Sequence, residues 1–81
     1  MRTSHTLLLR LRYDPRFEFS KIRVEFINRG AAGDRSEIHG DSIIKLEAFG
    51  MEIESEQGST LIPYHRIRRI TYKGSTMWMK E

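Results

Sequence analysis

Residues 61–72 read LIPYHRIRRITY, and this stretch decides how the rest of the chain folds. Pro63 has no backbone N–H and fixes its φ at about −65°, so a strand that enters here must turn or leave its ladder. Ile67 and Ile70 are three residues apart, as in a helical or 3₁₀ turn, whereas the residues from Ile70 onward alternate as in a half-buried strand. We therefore predict a corner with an apolar base. It presents five polar side chains: Tyr64, His65, Arg66, Arg68 and Arg69.

A short helix is predicted near the N-terminus. Thr3 or Ser4 can cap it, and Pro15 ends it by forcing Asp14 toward extended geometry. Three leucines share one face of this helix: Leu7, Leu8 and Leu11.

The remainder of the chain has the period of β-strands. Residues 21–28 alternate cleanly, with Ile22, Val24 and Phe26 on one face. Further alternating stretches follow from residue 44 onward and are separated by turn residues. The fold class is therefore predicted to be α+β: a short N-terminal helix followed by a small antiparallel sheet, or a partly open barrel, of about five or six strands.

The loop at residues 29–35, RGAAGDR, has two possible explanations. Its glycines can expose consecutive backbone N–H groups to an anion, with Arg29 and Arg35 adding charge. It also fits a long hairpin loop that needs positive φ angles, because it lacks the Lys-Ser/Thr of a P-loop.

Length and composition limit the possible functions. A chain of 81 residues predicts one domain, over residues 1–81, that is too small for separate cofactor and substrate domains. Neither a signal peptide nor a membrane span is readable, so a cytoplasmic protein is expected. The absence of Cys excludes disulfides, zinc sites built on thiolates and cysteine nucleophiles.

Charge is segregated along the sequence. Residues 1–35 carry eight Lys/Arg against four Asp/Glu, residues 36–60 one against six, and residues 61–81 five against one, which gives +4, −5 and +4. If the two terminal segments lie side by side, they form one basic face suited to a polyanion. Ordinary solvation of a charged surface is the alternative.

The three histidines give little support to catalysis or metal binding. Two of them could act as acid and base on an RNA phosphodiester, but His5, His39 and His65 show no repeated His-x-Thr/Ser element. No two histidines have the i, i+4 spacing of a helical metal site. Trp78 fits a stacking platform for a base or a place in the core.

Four motifs carry a resemblance to a known family. They are YDPRF at 13–17, NRGAAGD at 28–34, IPYHRI at 62–67 and Trp78. Together they resemble the archaeal RNA cyclic-group end recognition domain family over nearly the whole chain. The resemblance implies recognition of RNA ends that bear a 2′,3′-cyclic phosphate or a related group, in RNA repair or processing. Modules of this family also occur fused to RNA ligases, phosphoesterases and nucleotidyltransferases, which are therefore expected partners.

Site residues are carried over from the same motifs. The resemblance points to Arg29, Gly30, Tyr64, His65 and Arg66 as contacts to RNA or phosphate, with Asp14, Arg16 and Asp34 as further candidates. Tyr13 and Asn28 stand where the family often has Trp and His or Asp, and these differences bear on the choice of ligand.

The resulting hypothesis is a non-catalytic RNA-binding module without cofactor or metal. It would hold a terminal phosphate between the Arg29 loop and the His65–Arg66 corner, with Arg68 and Lys73 as general electrostatic contacts. Two alternatives stay open: a small metal-independent phosphodiesterase or cyclic-phosphate hydrolase that uses His65, and a basic adaptor that docks an acidic protein.

Overall fold

A computed structural model describes residues 3–80 of the chain. In this part the element order begins with helix α1 (Ser4–Tyr13). Seven strands follow: β1 (Ile22–Ile27), β2 (Arg35–His39), β3 (Ile43–Leu46), β4 (Gly50–Ser55), β5 (Gly58–Pro63), β6 (Ile67–Tyr72) and β7 (Ser75–Met79). Short 3₁₀ turns at Phe19–Lys21, Ala32–Asp34, Gly40–Ser42 and Tyr64–Arg66 connect several of them.

The strands form two antiparallel sheets. One has four strands in the order β2-β1-β6-β7, and the other has three in the order β3-β4-β5. The predicted α+β class is confirmed, and the described strands close no barrel. There are seven strands instead of five or six because β2, with the sequence RSEIH, adds a polar edge strand whose only large apolar residue, Ile38, is half-buried.

Helix α1 forms as predicted. Thr3 caps it, since its hydroxyl accepts a hydrogen bond from the Thr6 backbone N–H and the Thr6 hydroxyl is within hydrogen-bonding distance of the Thr3 backbone N–H. The helix ends at Asp14, whose ψ of 118° is extended, as expected for a residue before proline. Its three leucines are 0–1% exposed and attach the helix to the core.

A single cluster of buried side chains joins the helix and both sheets. The four-stranded sheet contributes Ile22, Val24 and Phe26 of β1, with Ile67 and Ile70 of β6. The three-stranded sheet contributes Ile43, Met51, Ile53 and Ile62 to the same cluster. Each buried aliphatic side chain of this kind stabilises the fold by about 1.5–3 kcal/mol.

The corner after Pro63 is confirmed. β5 ends at Pro63, the 3₁₀ turn Tyr64–Arg66 redirects the chain, and β6 begins at Ile67. Phe26 pairs with Ile67 while Glu25 pairs with Arg69, so Arg68 is an extra residue that makes a β-bulge. The bulge explains how Ile67 and Ile70, three apart in a strand, both face the core.

Among residues 3–80, no helix has the length and apolar character needed to span a bilayer.

Candidate nucleic-acid interface

A cleft of about 450 Å³ opens where the end of β1 meets the corner before β6. Six residues line it: Ile27, Asn28, Arg29, His65, Arg66 and Arg68. The structure thus brings the Arg29 loop and the His65–Arg66 corner together, although the two are more than thirty residues apart in the sequence.

Arg66 is fixed in the wall of this cleft. Its Nε and Nη2 donate to the carbonyl oxygen of Ile27 at 3.0 and 2.6 Å. Asn28 directs its backbone N–H toward Asp34, so Ile27, one residue earlier in the strand, directs its carbonyl to the opposite side, toward β6. The Arg66 side chain thereby donates to the Ile27 carbonyl in place of a backbone N–H, because the chain turns at the corner before β6 begins. Within residues 3–80, its Nη1 group and the second Nη2 hydrogen have no acceptor and can donate to a ligand.

The Arg29 loop is held by its own hydrogen bonds. The Asn28 N–H donates to the Asp34 carbonyl at 2.8 Å, and the Ala31 N–H donates to the Asn28 carbonyl at 3.1 Å. The Gly30 N–H approaches the Asp34 carboxylate at 3.4 Å. Gly30 and Asp34 have φ angles of 95° and 57°, so the prediction of a loop that needs positive φ is confirmed. The Asp34 side chain closes the loop from within.

The cleft carries uncompensated positive charge. Among the described residues, three arginines and one histidine line it, and no carboxylate does. Within residues 3–80, the side chains of Arg29, His65 and Arg68 make no hydrogen bond or ion pair, whereas the His65 carbonyl accepts from Lys80 Nζ at 2.9 Å. A cleft lined by three arginines and a histidine has the chemical character that suits an anion.

Arg68 lines the cleft, although the sequence predicts it as a general electrostatic contact and not among the residues that hold the terminal phosphate. The β-bulge places it in the cleft beside Arg66. A signal existed in the sequence, since isoleucines three apart in a strand require an extra residue between them.

Tyr64 lies at the same corner but makes different contacts. Its ring stacks on His5 of α1 with centroids 4.2 Å apart, and its hydroxyl donates to the Glu47 carbonyl at 2.5 Å. Burial, followed by the negative charge of Glu47, raises the pKa of Tyr64 to about 12. Tyr64 is not among the residues that line the cleft, and its role as an RNA contact stays a prediction.

Asp14 and Arg16 form a local pair at the end of α1. Arg16 Nη2 donates to Asp14 Oδ2 at 2.7 Å, and the Arg16 backbone N–H donates to Oδ1 at 3.0 Å. These hydrogen bonds, first that of the side chain, lower the pKa of Asp14 to about 2. Neither residue lines the cleft, and their part in RNA binding also stays a prediction.

The described residues hold no group of three or more His, Cys, Asp and Glu side chains that could bind a metal ion. The histidines have separate surroundings. His5 stacks on Tyr64, His39 pairs with Arg23 across β2 and β1, and His65 lies in the cleft.

Comparison with known proteins gives two matches. The family described as the MJ1316 RNA cyclic group end recognition domain matches residues 1–80. A UPF0248 protein of Archaeoglobus fulgidus is 32% identical over 71 residues, which cover 88% of this chain and 96% of that protein. No solved structure matches.

Proposed function

The chain belongs to the MJ1316 RNA cyclic group end recognition domain family, and on that premise we propose that the cleft binds the phosphate at the 3′ end of an RNA, in particular a 2′,3′-cyclic phosphate. The protein would act as a binding module in RNA repair or processing. The observation that supports this proposal is a cleft whose lining, within residues 3–80, has three arginines and a histidine and no carboxylate.

The arrangement suits a phosphate better than a diffuse polyanion. Arg66 is pre-oriented by the Ile27 carbonyl, so less rotamer entropy is lost when its remaining N–H groups bind an oxygen pair. Arg29 and Arg68 supply further N–H donors from the loop and from the bulge, and guanidinium groups bind phosphate in a bidentate manner. His65 adds one directed donor.

The lining of the cleft also favours binding over hydrolysis. Opening a cyclic phosphodiester by general acid–base catalysis needs one group to take a proton from water and another to protonate the leaving oxygen. His65 is the one imidazole among the described residues of the lining, and arginine does not release its proton. The part of the chain that the structure describes therefore places no second acid or base in the cleft.

Three RNAs that differ only in their 3′ end, with a hydroxyl, a 3′-phosphate or a cyclic phosphate, test the proposal by titration. The wild-type protein is expected to prefer the ends that carry phosphate. Arg29→Lys keeps the positive charge but loses the planar guanidinium that can bind phosphate with two hydrogen bonds. It should therefore weaken binding of the phosphate ends by about 1–3 kcal/mol and leave the affinity for hydroxyl-ended RNA nearly unchanged. Arg12→Lys on α1, outside the lining, is the matched control.

Equal affinity for the three ends would overturn end recognition. The same titrations are followed by chromatography of the RNA, and the cyclic phosphate should be recovered intact with or without divalent metal. Turnover that disappears in His65→Ala would instead establish the hydrolase.

A further inference from the structure

The cleft continues into a trough on the outer face of the four-stranded sheet. A middle depression shares Ile27 and Arg68 with the cleft, and a far depression at the other end of the strands shares Arg69 with the middle one. We call the middle and far depressions together the outer trough. Its floor consists of the outward side chains of β1 and β6, whose inward neighbours are buried in the core.

Positive charge is in excess along the outer trough. Seven Lys/Arg line it against two glutamates: Lys21, Arg23, Arg35, Arg68, Arg69, Lys73 and Lys80, with Glu25 and Glu37. The Glu25 carboxylate is shared by two guanidinium groups, with Arg35 at 2.7 Å and Arg69 at 3.1 Å. Lys21 and Lys73, at the far end, form no ion pair within residues 3–80.

The chemistry of this lining points to a phosphate backbone. Among residues 3–80, no Phe, Tyr or Trp lines the outer trough and His39 is its one aromatic ring, so Lys and Arg outnumber the rings on which bases could stack. Contacts made by Lys and Arg alone fix a strand through its phosphates and carry little sequence information. An acidic protein would also meet positive charge here, but continuity with the cleft favours the same ligand molecule for both.

The dimensions fit a short single strand. From Arg68 to Lys73 the chain of β6 advances about 16 Å at roughly 3.3 Å per residue. At the spacing of about 3.4 Å per nucleotide found along one strand of a DNA duplex, about five stacked nucleotides would cover this distance. The outer trough is therefore long enough for the nucleotides that precede a 3′ end.

We propose that the outer trough binds the backbone of the single-stranded RNA that leads into the cleft, without regard to base sequence, so that the protein recognises a 3′ tail of about five nucleotides and not the terminal group alone. This inference rests on the proposed function only for the position of the 3′ end.

Binding in the outer trough can be distinguished from binding in the cleft with two ligands that carry the same terminal group. They are a nucleoside 2′,3′-cyclic monophosphate and an eight-nucleotide single-stranded RNA that ends in a cyclic phosphate. At 50 mM salt the octamer should bind at least about tenfold more tightly. Arg23→Gln/Lys73→Gln should remove most of this gain, make the slope of log K against log salt shallower by about 1.4, and leave the mononucleotide affinity unchanged. Arg12→Gln/Lys45→Gln removes two charges from α1 and β3 and should keep the octamer within about twofold of wild type.

Each outcome decides a separate question. An octamer that binds no more tightly than the mononucleotide, or equal losses in the two double variants, overturns the outer trough as an RNA path. If hydroxyl-ended and cyclic-phosphate octamers bind equally but Arg23→Gln/Lys73→Gln still weakens both, the cleft proposal fails and the path stands. If the ends are discriminated and length has no effect, the cleft proposal stands and the path fails.

Discussion

At the scale of single residues, Arg66 both faces the cleft and completes the β-ladder through the Ile27 carbonyl. A hydrogen bond that involves a charged group contributes about 1.5–3 kcal/mol, so Arg66→Ala should lower the free energy of unfolding by about that amount in urea titrations. Arg68→Ala removes the same charge from the same cleft but no side-chain hydrogen bond, and should change stability by about 0.5 kcal/mol or less. Equal losses in the two variants would contradict a structural role for the Arg66 guanidinium.

The Asp14–Arg16 pair predicts a pH dependence of stability. The pKa of Asp14 falls from 3.8 to about 2 in the folded chain, because the Arg16 side chain and backbone N–H donate to its carboxylate. A lowered pKa means that the folded state binds this proton less readily than the unfolded state. The contribution of Asp14 is therefore complete above about pH 4 and is lost as the pH falls toward 2.

The carboxyl resonance of Asp14, followed by NMR, should titrate near pH 2 and move toward 3.8 in Arg16→Gln. Arg10→Gln is the control, because Arg10 lies 3.9 Å from the same carboxylate and should move the midpoint less. A midpoint near 3.8 in the wild type would show that the pair does not persist in solution.

At the scale of elements, the sequence predicts those parts whose signals are local. The cap and the leucine face of α1, the alternation of β1 and the break at Pro63 each follow from neighbouring residues, and each forms as expected. β2 was not predicted, because a polar edge strand shows little alternation of apolar and polar residues and its place beside β1 depends on strand pairing. The bulge at Arg68 is likewise fixed by register with β1.

The candidate site shows the same limit. The sequence motifs indicate Arg29, His65 and Arg66 as candidate ligand contacts, and the fold places all three in the lining of one cleft. The stacking of Tyr64 on His5 and the bond from its hydroxyl to Glu47 depend on how α1 and the β3–β4 connection pack against the corner. Such contacts between distant segments have no signature in the local sequence.

Gly40 gives a prediction about how elements pack. A Cβ atom at this position would lie 1.9 Å from the carbonyl oxygen of Phe19, so the turns at Phe19–Lys21 and Gly40–Ser42 can approach only with glycine here. Because the obstacle is backbone, Gly40→Ala should cost about 3 kcal/mol or more. Gly33→Ala is the comparison. A Cβ atom at Gly33 meets no described atom within 4 Å, so the substitution should destabilise the fold only through the positive φ of 67°, by about 1–2 kcal/mol. Thermal unfolding that ranks Gly33→Ala as equal to or worse than Gly40→Ala would contradict this view of the packing.

At the scale of the whole molecule, the order of strands in the four-stranded sheet brings the two basic segments of the sequence onto one surface. β1 and β6 come from the two basic segments and are neighbours in the four-stranded sheet, so parts of these segments lie side by side, as a shared basic face requires. The acidic segment 36–60 contributes the edge strand β2 apart from Arg35, and the second sheet apart from the last three residues of β5. The cleft and the outer trough therefore lie on the sheet that contains both basic strands.

This separation makes the salt dependence of RNA binding a test of which face is used. Each phosphate contact to a single strand contributes a slope of about −0.7 in log K against log salt, so three to six contacts predict a slope of roughly −2 to −4. Arg29→Gln/Arg68→Gln should make the slope shallower by about 1.4, because both side chains line the cleft. Glu52→Gln/Glu54→Gln raises the net charge by two on β4 of the other sheet, outside the lining of the cleft, and the slope should stay as in wild type, since it counts contacted phosphates. A flat response in the wild type would favour the adaptor or an uncharged ligand. If the slope instead followed net charge in both double variants, RNA would be attracted by the molecule as a whole and not bound at one face.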